Sequence, residues 1–108
     1  MFCKRSDAGY TSPMDGVQMK VLVHGEKTML CEFRIKEGKS IPTHEHPHEQ
    51  TGYLVKGRMK FTVQDSEIEV KQGDSWCIPG GTPHSAEVIE DSIVIEVFSP
   101  PRDEYLQT

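Results

Sequence analysis

The chain has 108 residues, with 12 Lys and Arg against 17 Asp and Glu, a formal charge of −5, five histidines and three cysteines. That length is one domain with a real core, and basic residues scattered singly through an acidic chain exclude a nucleic-acid surface. No apolar run reaches the roughly 20 residues of a membrane span, and Met1–Asp7 has no apolar signal core, so the expectation is a soluble cytoplasmic protein.

Cys3, Cys31 and Cys77 are odd in number, far apart and without a CxxC, which fits free thiols in a reducing compartment. Cys77 lies in an apolar run and is expected to be buried. Along the chain, helical periodicity is missing and period-2 alternation replaces it. His24 stands beside Gly25 at a strand end and is expected to be exposed. Met29, Cys31, Phe33 and Ile35 alternate with Leu30, Glu32, Arg34 and Lys36. Further on, Met59, Phe61 and Val63 alternate with polar residues, as do Ile68 and Val70.

Turn signals separate the runs: Gly25-Glu26, Glu37-Gly38, Lys56-Gly57, Asp65-Ser66, Gln72-Gly73-Asp74, Pro79-Gly80-Gly81 and Glu90-Asp91. About nine short strands at this spacing predict an all-β fold, a small antiparallel jelly roll or barrel.

Ile93-Val94-Ile95-Glu96-Val97-Phe98 has two faces that both ask for burial. If Val94, Glu96 and Phe98 face the interior, then Ile93, Ile95 and Val97 need an outer cover. A second copy of the chain (a homodimer) or the terminal segments, 1–13 or 99–108, would supply it. Glu96 on an apolar face needs a purpose or a partner. It is either a general acid/base or half of an ion pair with Arg102, Arg34 or Arg58. Pro100-Pro101 ends the sheet.

The chemistry concentrates in Ile41-Pro42-Thr43-His44-Glu45-His46-Pro47-His48-Glu49-Gln50 and in His84. In an extended segment His44 and His46 share a face. Gln50 can turn its carboxamide oxygen to the same point, and His84 from another strand closes the set. Imidazoles and an amide suit a divalent transition metal: nickel, manganese, iron, zinc or cobalt. His48 competes as a ligand, but Pro47 breaks the strand, so it is placed at the rim. Glu45 is expected to point away and Glu49 to be solvated. All four chosen ligands are neutral, so a bound cation would keep its charge and attract a small anion.

Gly38, five residues, His44-x-His46, three residues, Gln50, six residues and Gly57 resemble the first motif of the cupin superfamily. Gly73, five residues, Pro79-x-Gly81, two residues and His84 resemble its second, with fifteen residues between the two. The resemblance implies one cupin domain over 1–108, with a barrel core over about 16–98 and a tail over 99–108. Two positions depart from the usual pattern: Gln50 stands where many cupins carry Glu, and Val88 where many carry Asn.

The His44–Gln50 stretch and the run Val94–Arg102 are similar to the KdgF branch of the cupins, the pectin-degradation proteins. That resemblance implies metal ligands at His44, His46, Gln50 and His84, and further functional residues at Glu96, Phe98 and Arg102. Glu96 replaces the usual Asp of that branch. The implied activity converts 4,5-unsaturated uronates, which are sugar acids, to linear ketonised sugars. In that activity Glu96 moves a proton, Arg102 grips the carboxylate and Phe98 shapes the apolar side. An Fe(II) dioxygenase, another metal-dependent sugar isomerase and a non-catalytic sugar- or anion-binding cupin remain the alternatives.

Overall fold

Alternation of apolar and polar side chains becomes antiparallel sheet in the computed structural model, which describes residues 1–106. The strands are β1 (Thr11–Met14), β2 (Val17–His24), β3 (Met29–Ile35), β4 (Ser40–His44), β5 (Glu49–Val63), β6 (Ser66–Lys71), β7 (Ser75–Ile78) and β8 (His84–Ser99). A short 3-10 turn, Asp103–Tyr105, follows the double proline. The last two residues of the expected tail lie outside the described residues.

The strand order β1-β2-β3-β8-β5-β6, with β4 added to β8 and β7 to β5, is a jelly roll. Eight strands stand where about nine were expected, and two of the expected turns are not turns. Lys56-Gly57 lies inside β5, and Glu90-Asp91 lies inside β8. The β5–β8 register instead shifts around Leu54, Lys56 and Arg58, and the two long strands bend there together. Gly57 permits the bend: its φ is +103°, and a Cβ would come within 2.3 Å of Ser92 Oγ and 2.5 Å of the Asp91 carbonyl oxygen.

The bend lets each long strand serve both layers. The later half of β8 pairs with β3 and with the start of β5. The earlier half of β8 pairs with β4 and with the end of β5. Between the layers lie Met29, Cys31, Phe33 and Ile35 from one side and Met59, Phe61, Ala86 and Val88 from the other. Fully burying side chains such as Leu54 or Phe98 stabilises the fold by about 1.5–3 kcal/mol each.

Cys77 corrects the expectation of burial: it is exposed. In β7 the alternation turns Trp76 and Ile78 inward, which sends Cys77 to the outer face opposite the exposed Thr51. In the last strand Val94 and Phe98 are buried, and Ile93, Ile95 and Val97 are half-buried on the outer face. Met1 and Phe2 border a surface cleft with Leu30 and Val97, but both are themselves highly exposed.

Candidate metal centre and acid pocket

Three ring-bearing residues meet at one open end of the barrel. His44 ends β4 and pairs in register with His84, the first residue of β8; their ring centroids are 4.2 Å apart. His46 lies two residues beyond β4, in the loop before β5. Its carbonyl accepts the Gly81 amide at 2.8 Å, which ties that loop to the turn preceding β8. Its ring is 5.1 Å from that of His84 and 5.6 Å from that of His44. Ligand-capable atoms of all three lie within 4.8 Å of one another. Thus the two histidines converge, and the loop rather than a regular strand face brings His46 round.

Gln50, near the start of β5, is 6% exposed and places its Oε1 3.0 Å from His46 Nε2. Each of the three imidazoles has Nδ1 against a backbone carbonyl. His44 meets Pro42 at 2.9 Å, His46 meets His48 at 3.1 Å, and His84 meets Thr82 at 2.8 Å. Donation from Nδ1 fixes the tautomer and leaves Nε2 as a bare lone pair, the arrangement found around metal-bound histidines.

Two observations then test whether a cation fits. His84 Nε2 is buried with no hydrogen-bond partner, an arrangement that costs free energy unless something binds there. His46 Nε2, already without a proton, faces the Gln50 carbonyl oxygen, so two lone pairs meet at 3.0 Å. Protonating the ring would relieve this. However, burial first, and then Arg102 and His84, hold the His46 pKa below its ordinary value. Burial likewise leads in lowering His84, helped by His44 and Arg102 and opposed by the Thr82 bond. A divalent cation satisfies every bare donor at once, and the donor set fits it.

His48 contributes its carbonyl to His46 but lies outside the three-histidine group. Its Nδ1 is also buried without a partner. His24, Glu45 and Glu49 are exposed.

The same end of the barrel holds an acid. One interior pocket is lined by His44, Gln50, His84, Glu96, Phe98 and Arg102 together. Glu96 is on β8, between Cys31 of β3 and Gly52 of β5. Its Oε2 accepts hydrogen bonds from the Gln50 amide nitrogen and, at 3.4 Å, from the Trp76 indole. Burial pushes its pKa up to about 7, against the downward pull of those two donors and of Arg102.

The alternative reading of Glu96, an ion pair with Arg102, Arg34 or Arg58, is not formed among the described residues. Arg34 pairs with Glu32, Arg58 with Glu69 and Glu90, and Arg102 with Glu104. Arg102 Nε donates to Glu104 at 2.5 Å. Its guanidinium lies over the rings of Phe98 (5.1 Å) and Tyr105 (4.4 Å). That leaves the two terminal nitrogens without a protein acceptor among the described residues.

Three residues here escape a reading of the sequence motifs. Trp76 could have been found from its inward position in the β7 alternation. Glu104 and Tyr105 could not, because only the fold-back after Pro101 brings them under the pocket.

A jelly roll that gathers three histidines at one end defines a class of protein, and the cupin domain profile matches residues 31–99. The chain belongs to the cupins. It is 24% identical to the pectin degradation protein KdgF of Dickeya dadantii over 94 residues, covering 85% of this chain and 86% of that one. The structure of KdgF from a Halomonas species superposes with a TM-score of 0.91 at 29% identity, covering 96% of this chain and 98% of that one. An RmlC-like cupin from Shewanella frigidimarina gives the same TM-score at 24% identity, covering 96% and 94%.

Proposed function

We propose that the protein is a metal-dependent cupin enzyme that opens 4,5-unsaturated uronates to linear ketonised sugars. The observation that carries this reading is the placing of an acid, Glu96, and a free guanidinium fork, Arg102, in the pocket that also presents His44, Gln50 and His84. The likeness to the pectin degradation protein KdgF of Dickeya dadantii and to the KdgF of a Halomonas species, over most of the chain, supports the substrate class.

The ligands would be His44, His46, Gln50 and His84, all neutral. A metal held there supplies positive charge to the oxygens of the substrate. The terminal nitrogens of Arg102 receive the substrate carboxylate as a fork, with Glu104 holding Nε and the Phe98 and Tyr105 rings holding the plane. Glu96 Oε2 is committed to Gln50 and Trp76, so Oε1 is the atom available to carry a proton.

The reaction is a proton rearrangement that needs no oxidant. Glu96 takes the proton of the anomeric hydroxyl as the C1–O5 bond breaks. C1 becomes an aldehyde, and O5 leaves as an enolate conjugated with the carboxylate. Return of that proton to C4 leaves a ketone at C5, so every atom is kept. Phe98 excludes water from the apolar edge of the sugar.

The test is the ultraviolet absorbance of an unsaturated monouronate made by a polysaccharide lyase. Metal-loaded protein should bleach it faster than its spontaneous decay; decay at the spontaneous rate would reject the activity. Oxygen uptake with no such bleaching would favour the dioxygenase alternative. The reading includes a homodimer covering the outer face at Ile93, Ile95, Val97 and the exposed Tyr53; sedimentation as a monomer at micromolar concentration would remove that part alone.

A further inference from the structure

Gln50 can serve a cation only if its oxygen, not its nitrogen, points to the histidines. A free glutamine has no such preference, since its two ends are nearly the same size. Here the choice is made from behind. The Gln50 nitrogen donates to Glu96 Oε2, and the reversed amide would set an oxygen against a carboxylate. What holds Glu96 is therefore what orients the amide.

The answer lies across three strands. Gly52 of β5 pairs with Trp76 of β7 on one side and with Glu96 of β8 on the other. Trp76 has no direct strand contact with Glu96. Its indole nevertheless reaches over β5 and delivers Nε1 to Glu96 Oε2 at 3.4 Å. It can do so because position 52 has no side chain: a Cβ there would lie 2.3 Å from Cε2, 2.4 Å from Nε1 and 2.5 Å from Cζ2 of the indole. Phe61 supports the indole from the core, with centroids 4.7 Å apart.

We propose that Trp76, seated in the gap left by Gly52, is a positioning residue that anchors Glu96 and thereby locks the Gln50 amide with its oxygen toward the metal centre. The proposal rests on the metal reading and not on the uronate. Gly52 and Trp76 touch neither the reacting atoms nor the metal; they act through Glu96. The device also explains why an amide can replace a carboxylate at position 50: a Glu there would face Glu96 with like charge, whereas an amide bonds it.

Two variants of the full chain test this, Trp76→Phe and Gly52→Ala. The first keeps the ring and removes the donor; the second keeps the donor and closes its seat. Two readouts apply to each: the dissociation constant for Co(II), and the side-chain amide resonances of Gln50 in the metal-free protein. Expected for both variants are a roughly tenfold or greater loss of Co(II) affinity, in the range of outer-shell changes, and Gln50 amide protons that shift and exchange faster. Trp76→Phe with wild-type affinity and unchanged Gln50 resonances would overturn the proposal, as would the same result for Gly52→Ala if only that variant folds. If neither variant folds, Trp76→His, which offers a ring nitrogen donor in a smaller volume, should restore folding and affinity together; folding without affinity for Co(II) counts against the proposal. Absence of Co(II) binding in the wild type overturns the metal reading and this proposal with it, a result distinct from an unaltered variant.

Discussion

His84 stands directly opposite His44 in the β4–β8 ladder, so two rings far apart in sequence are set 4.2 Å apart by strand register. The buried His84 Nε2 has no partner in the protein. Metal should therefore bind the folded state selectively, and a ligand at a hundredfold excess over its dissociation constant adds about 2.7 kcal/mol. For a domain of this size that raises Tm by about 10 °C. His84→Ala should abolish the rise seen on adding Ni(II), Co(II) or Zn(II), and chelation should reverse it in the wild type. Differential scanning fluorimetry of both proteins with and without metal measures this; equal shifts would remove His84 from the site.

Glu96 has two tasks that different substitutions separate. Glu96→Gln keeps an oxygen that can accept from Gln50 and Trp76, so metal affinity should fall by less than about threefold. It removes the proton carrier, so kcat on an unsaturated monouronate should fall by about 100-fold or more. Glu96→Ala removes the acceptor as well and should lose metal too. Paired isothermal titration and ultraviolet kinetics decide this: full activity in Glu96→Gln would end the acid/base role.

Arg102 is held by a hydrogen bond from Nε and by two aromatic faces that leave its planar fork free, and a lysine has no such fork. Arg102→Lys should keep the fold and the metal while kcat/KM for the monouronate drops about 10- to 100-fold, the worth of a charge-assisted pair of about 1.5–3 kcal/mol. A neutral amide of the same sugar should lose little between the two proteins. Equal losses for acid and amide would show that the guanidinium does not grip the carboxylate.

Cys31 is fully buried between the layers, and burial first, with Glu96 adding to it, raises its thiol to about 12 from an ordinary value of 9.0. In the folded protein it should stay unreactive at pH 8 while the exposed Cys3 and Cys77 react, giving two thiols with a disulfide reagent and three after denaturation. The folded value is the higher one, so between about 9 and 12 the unfolded chain binds fewer protons. The contribution is complete below 9 and is lost as pH rises toward 12. Denaturant titrations at pH 8 and pH 10.5 should show the gap between wild type and Cys31→Ala narrowing at the higher pH.

What could be read in the sequence was whatever depends on alternation and spacing. Met29 to Ile35 and the inward Val94, Glu96 and Phe98 follow from period 2, and the spacing of His44 and His46 marked the pair although a loop, not a strand, carries His46. The exposure of Cys77 also follows from period 2, once Trp76 and Ile78 are taken as the inward pair, but an apolar run gives no phase of its own. The true partner of Glu96 was not legible. Gln50 and Trp76 reach it only because β5 lies between β7 and β8, and that order comes from the crossovers of the jelly roll. The orientation of Arg102 depends on a fold-back after the double proline, with no periodic signal at all.

Gly57 shows the same limit from the side of the backbone, because in sequence a bulge and a turn look alike. Its residue has φ +103°, and the Asp91 carbonyl oxygen and Ser92 Oγ already fill the space a Cβ would need. Gly57→Ala therefore incurs both backbone strain and overpacking, together roughly 3 kcal/mol. If Gly57 were an exposed turn residue, only the strain would remain. The joint bend of β5 and β8 carries the start of β5 and the end of β8 to the end that holds the histidines, so a shifted bend should also displace Gln50 and Phe98, which pair with each other beyond it. The expected result is a lower denaturation midpoint together with weaker Co(II) binding. A midpoint lowered by about 1 kcal/mol equivalent with unaltered binding would mean that the bend is a local feature and does not set the site.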